Sequence, residues 1–387
     1  MSQKNQKTDI PSEKREKKFR LYKFLTISLL VLFLLGGAIL FENDITVENL
    51  RYLIKYFDFS SSGAFSEESV IYYNADSGNE FYVFRGDLAL VNPGGITLFD
   101  RRGSAVMTDS FNMSQPTCVL SDKYLAVYDL GGHQVRIYNS FALLYENSFP
   151  YTVQSVSINS DGAFSVVTAE KNYRSAVFVF DREFKQVYKW LSSDKYATGA
   201  TFSDRNILTV STVHSEGGEL VSDLIELKLG NNKPVSNFVM KSELPLSHMN
   251  DRTGTVLMTD RSIKFIKKGK EEASKSFAEG SLKKFVFGEK YCAVLQDELS
   301  VGVNYKLSIF NRKGEEIISQ QFSVSVLDIE IYRDTVFVLT HTELYVIKNG
   351  EETRKIPVEG EFTDLGVLSK DCLILCGETE AHIKLLD

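Results

Sequence analysis

A short phrase of alternating apolar residues, closed by Asp, Asn or Lys and a turn, recurs along most of the chain. Its first copy is Ile-Thr-Leu-Phe-Asp100, followed by Arg-Arg-Gly103. Further copies fall at 135–139, 177–181, 225–228, 263–267, 307–311, 344–348 and 383–387. Their closing residues lie roughly 37 to 47 positions apart, the length of one four-stranded propeller blade. A repeat of this kind excludes most folds, because each unit must bury its apolar faces against its neighbours.

Other strands fall into step around the phrase. Upstream of it are nearly continuous apolar runs, such as Tyr-Leu-Ala-Val-Tyr128, Tyr-Cys-Ala-Val-Leu295 and Cys-Leu-Ile-Leu375. Downstream are mixed strands, such as Glu-Glu-Ile-Ile-Ser319. A strand covered on both faces should be apolar and an edge strand mixed, so each unit reads as inner strand A, apolar B, phrase strand C and outer D. The last copy, at 383–387, has no strand D after it. Residues 67–73 (Glu-Glu-Ser-Val-Ile-Tyr-Tyr) match the missing strand and open with the Glu pair also seen at Glu271, Glu315 and Glu351. The chain is therefore expected to be all-β, a propeller of about eight four-stranded blades, the last closed by an N-terminal strand at 70–73 pairing with 383–386. Seven blades and a ragged tail is the competing arrangement.

The domain division follows. Residues 1–23 form a basic tail and 24–41 carry no charge. With Leu21 and Tyr22 the run approaches the roughly 20 residues that span a hydrocarbon core. Its N-terminal flank is rich in Lys and Arg and its C-terminal flank is Glu42-Asn43-Asp44. Positive-inside logic then places the tail in the cytoplasm and everything later outside, an uncleaved signal anchor in the cell membrane. Residues 42–66 read as an amphipathic helix with Val47, Leu50, Leu53, Ile54 and Phe57 on one face, then a Ser-Gly joint. Residues 67–387 are the propeller.

The net charge of −7 argues against a nucleic-acid partner, which needs a basic surface. Within the propeller, A–B and C–D turns share one face and B–C and D–A connections the other. The C–D turns are basic (Arg101, Arg102, Lys267, Lys268, Arg312, Lys313), and the chain enters the ring on their side. That face is expected to meet anionic headgroups. The other face carries Asp129, His133, His214, Glu216, Glu298, His341, Glu378 and His382 as candidate partner-binding residues.

No catalytic, cofactor or metal site is expected. The histidines have no ligand spacing, Asn159-Ser-Asp-Gly162 lacks the later acid of a calcium loop, and no nucleophile elbow, phosphate loop or HExxH is present. Cys372 and Cys376, on one strand face, stand roughly 13 Å apart, too far for a disulfide.

The Asn-Ser-Asp-Gly turn and the blade period resemble those of WD40-like and quinoprotein-like propellers. The plan as a whole resembles an uncharacterised family of single-pass bacterial membrane proteins with propeller ectodomains. The chain lacks the Trp-Asp blade ending of the former and, with one tryptophan (Trp190), the docking tryptophans of the latter. The resemblance implies a scaffold that binds a partner across one face. With the expected anchor, this reads as a non-enzymatic module for a cell-envelope protein or wall polymer. The competing reading is an envelope hydrolase or lyase with its site in the funnel, where Asp328, Glu330 and Asp364 interrupt mostly apolar inner strands.

Overall fold

The computed structural model describes residues 22–29, 31–32 and 70–386, apart from 77, 101, 232, 252, 299–302 and 350 and the side chains of 352 and 353. The chain divides into two units, 1–62 and 63–387. In the first, residues 22–29 and 31–32 are helical, and the Thr26 hydroxyl donates to the Tyr22 carbonyl at 2.8 Å. Among the described residues no helix is long and apolar enough to cross a membrane. Most of the expected span at 24–41 and all of the expected helix at 42–57 lie outside the described residues.

The second unit is eight four-stranded antiparallel sheets. Blades 1 to 7 run in simple chain order, and blade 8 has the order Phe362–Ser369, Cys372–Gly377, Glu380–Leu385 and then Val70–Tyr72. The burial gradient is the one the sequence implies. Strands B such as Leu125–Asp129 and Cys372–Gly377 are buried throughout, while strands D such as Ala105–Ser110 and Lys270–Ser276 are mostly exposed.

The closing residue of the phrase has a defined task. The Asp100 carboxylate accepts the backbone N–H groups of Arg102 and Ser104 at 2.9 and 3.0 Å. Asp181 does the same for Glu183 and Lys185, and Asn311 for Lys313 and Glu315. A short side chain with an oxygen at this position satisfies two turn donors, so Asp and Asn end the strand. Gly103 and Gly314 follow at φ +77 and +83, where a Cβ would be strained. Asn159 caps its A–B turn in the same way, which assigns that segment to turn formation.

Blades pack through separate apolar cores. Between blades 2 and 3, Phe164 and Phe180 stack with centroids 4.6 Å apart, joined by Tyr145, Phe149 and Phe184. Between blades 8 and 1, the core is Ile71, Leu88, Leu368, Cys372, Ile374, Cys376, Ala381 and Ile383. Directly across the ring, blades 4 and 5 meet over only Leu224, Met240, Leu257 and Ile266 among fully buried residues of their cluster. Polar contacts reinforce that joint. Ser222 of blade 4 donates to the Glu243 carbonyl at 2.6 Å, and the Glu243 carboxylate accepts from Ser262, Thr259 and Lys264 at 2.6, 2.8 and 3.0 Å. Buried His248 of blade 5 bonds the Thr209 carbonyl of blade 4 at 3.1 Å, and Asn250 bonds Thr201.

The closure is present, but its register differs from the expectation. Val70, Ile71 and Tyr72 pair with His382, Ala381 and Glu380, and not with 383–386. Tyr73 explains the shift. Its N–H bonds the Thr379 carbonyl at 3.0 Å, and its hydroxyl lies 2.8 Å from the carbonyls of Gly377 and Glu380. The strand is thereby anchored toward the B–C hairpin of blade 8.

Candidate functional site

The two rims of the ring are built differently. At the rim of B–C hairpins and D–A connections, large apolar side chains stand in solvent. Tyr173, Tyr196, Leu220, Leu244 and Leu246 form an arc over blades 3 to 5, flanked by Tyr151 on one side and Val303 and Val324 on the other. Each sits at a strand end or in a connection, where no neighbouring strand covers it. The Arg174 guanidinium lies 5.2 Å from the Tyr196 ring centroid, a cation–π contact that holds this ring outward. Among the described residues, the opposite rim exposes Leu120 at an A–B turn and Val106, Val187 and Val235 just after C–D turns, but no aromatic ring.

The candidate partner-binding residues lie on the apolar rim, dispersed over blades 2, 4, 6, 7 and 8. His133, Glu216, Glu298, His341 and Glu378 are exposed. Of these, His133 meets the Phe149 carbonyl at 2.9 Å, and Glu298 accepts from Asn304 and Gln321 at 2.8 and 2.9 Å. The other three are more deeply engaged. Asp129 is buried and accepts the Gln115 N–H at 2.8 Å, fixing the start of blade 2. His214 is mostly covered, its Nδ1 3.3 Å from Asp223. Asp223 is buried and also receives Lys195 at 2.7 Å and Asn237 at 3.0 Å, so the group locks blade 4 together. His382 lies in strand C beside Val70, bonds Glu380 at 2.8 Å and meets the Phe362 ring edge-on at 5.1 Å. Asp129, His214 and His382 are thus structural groups. Their polarity marked them in the sequence, but their local partners were not visible there.

On the opposite rim, Arg102, Lys267, Lys268 and Lys313 are exposed and Arg101 lies outside the described residues. Arg312 is turned inward. Its guanidinium bonds Asp251 of the neighbouring blade at 2.5 Å, and its side chain is only 13% exposed. It belongs to the joint between blades 5 and 6.

The channel has a charged side. The Asp328 carboxylate accepts the N–H groups of Ile329 and of Leu365 in blade 8 and pairs with Lys284 of blade 6, tying three inner strands. Burial pushes this carboxyl up, while Lys284 and the two N–H donors pull it back. Two residues on, burial and then the charge of Asp328 raise Glu330 to about 7. Glu330 opens on a cavity of about 370 Å³ at the A–B end of the channel, bounded by the inner strands of blades 1, 7 and 8 and by Leu120 of blade 2. Among the described residues no three side chains are grouped to hold a metal ion.

Fold and site together define an eight-bladed propeller with exposed Tyr and Leu along one rim and the carboxyls Asp328 and Glu330 on an inner strand. The model of a family of unknown function (DUF5711) matches residues 61–365, and the chain belongs to that family. Among solved structures, BamB from Moraxella catarrhalis is similar, with a TM-score of 0.53 and 10% identity over 83% of this chain and 99% of that one. The WD40 domain of Neurospora crassa Pan2 has a TM-score of 0.46 and 11% identity over 80% of this chain and 88% of that one. BBS1N, solved in complex with ARL6DN, has a TM-score of 0.46 and 11% identity over 83% and 95%. Identities this low speak to the fold alone. No curated protein matches the sequence.

Proposed function

We propose that this protein is a membrane-anchored scaffold whose propeller binds a cell-envelope protein through the rim of B–C hairpins and D–A connections. The observation that carries the reading is the gathering of exposed Tyr and Leu side chains on one rim, where the other exposes mainly Val. Exposed Tyr and Leu gathered over adjacent blades mark a protein-interaction surface, because isolated apolar residues are ordinary but an arc of them is not. The uncharged run at 24–41, basic before and acidic after, supplies the anchor, with the N-terminus cytoplasmic and the propeller extracytoplasmic. Arg102, Lys267, Lys268 and Lys313 on the other rim then suit anionic headgroups.

Two measurements test this. In membranes solubilised after crosslinking, Tyr173→Asp combined with Leu246→Asp should abolish recovery of the stoichiometric partner, and Lys268→Glu should leave it intact. Equal recovery from all three chains would refute the rim assignment. For topology, Lys268→Cys should react with an impermeant maleimide on intact cells and Ser2→Cys only after permeabilisation. The four native cysteines are buried and give little background. The reverse labelling pattern would refute the orientation.

A further inference from the structure

We propose that the channel cavity at the A–B end is a binding site for a small molecule with an apolar body and a single protonated amine, with Glu330 as its counter-ion. This site is separate from the rim that carries the proposed function, and either can fail alone.

The cavity, at about 370 Å³, has room for a ligand of one aromatic ring and a short chain. Four blades contribute apolar side chains to its walls, Phe81, Val83, Leu120, Ile331 and Val367, beside nearly as much polar surface. Such mixed walls suit a ligand with an apolar body and one polar head, and the Glu330 carboxyl among them disfavours a polyanion. The polar groups at its wall decide the charge. Asp328 has its lone pairs committed to Lys284, Ile329 and Leu365. Glu330 stands on the same strand face, two residues further, without a cation of its own close enough to offset burial. Lys284 acts on it from blade 6, but weakly, being bonded to Asp328. Arg85 also borders the cavity, at the A–B turn of blade 1. Beyond the Ile331 N–H that Glu330 already accepts, an incoming ammonium would supply a bonded cation in a partly dry site.

The free site therefore holds Glu330 partly protonated at neutral pH, near its raised value of about 7. An amine stays charged across this range, since its ordinary value is near 10. Binding should then favour the ionised carboxyl, strengthen as pH rises through 7 and release protons near neutrality.

The test is calorimetry on the full-length chain in lipid nanodiscs with three probes of one shape: 2-phenylethylamine, 2-phenylethanol and 3-phenylpropionate. The amine is expected to bind about tenfold more tightly than the alcohol, with the anion weakest. The preference should shrink by about tenfold between pH 8 and pH 5.5 and vanish in Glu330→Gln. Equal binding of amine and alcohol, preference for the anion through Arg85, absence of binding, or a pH-independent preference would each overturn the proposal. The probe comparison and pH series in the wild-type chain decide it even where the variant folds poorly.

Discussion

Two joints face each other across the ring, and they are held by different physics. The joint between blades 8 and 1 is an apolar core closed by a three-residue strand. The joint between blades 4 and 5 has few fully buried apolar residues and relies on Glu243, Ser222, His248 and Asn250. The first must hold two chain segments that no short loop connects, so it rests on contacts that tolerate no alternative register: the buried pattern of Ile71, Ala381 and Ile383. The second is joined covalently through the connection at 242–244 and has only to fix an angle. Directional hydrogen bonds suit that task. Apolar closure should fail cooperatively on mutation and be insensitive to pH. The polar joint should fail gradually and titrate.

The sharpest way to break the contrast is Ile71→Asp. It places an unpaired carboxylate in the closing core and is expected to cost roughly 4 kcal/mol or more, opening the ring to limited proteolysis. Retained protease resistance would show that the closure contributes little. Next, Ile374→Ala, deep in the same joint, should lose roughly 2–5 kcal/mol by chemical denaturation, with no difference between pH 5 and pH 8.

The polar joint should answer to acid. Burial lowers His248 to about 4, from 6.5 in an unfolded chain. A base depressed in the folded state contributes stability that is fully present above pH 6.5 and is lost as pH falls toward 4. The loss is up to about 3 kcal/mol on that shift. His248→Asn should flatten this acid limb in thermal melts taken from pH 7 to pH 4, and an unchanged limb would locate the titration elsewhere. Glu243→Gln should cost about 1–3 kcal/mol, since it weakens the bond to Lys264 while keeping shape. The smallest effect expected is on a surface property. Reversing Lys267, Lys268 and Lys313 together should weaken association of the chain with anionic liposomes at low salt and leave its melting temperature unchanged.

Much of the fold could be read because the repeat carries its own punctuation. Asp100, Asn139, Asp181 and Asn311 close their phrases by bonding two turn amides each, so at these blades the residue type marks the strand end; Lys closes three others. Blade number and the N-terminal closing strand follow from counting those marks. The register of closure does not follow, because it is set by the Tyr73 hydroxyl reaching carbonyls far along the chain. The rim was harder. Asp129 and His214 read in the sequence as exposed binding groups, but the fold engages them with the Gln115 N–H and Asp223. Tyr196 and Leu246 look in the sequence like ordinary core residues. Only their positions at the ends of inner strands leave them in water. Arg312 reads like its neighbour Lys313, but Asp251, 61 positions earlier, draws it inward.

The Tyr73 hydroxyl meets carbonyls 304 and 307 positions further along the chain. In time, this means that the ring stays open until residue 380 has been synthesised and, on the proposed topology, exported. Until then seven blades can form locally, each from adjacent strands, while the first strand waits without a partner. An unpaired strand edge is an aggregation risk. The last step of folding is therefore the one most exposed to interference, and its rate should decide how much of the protein survives to function.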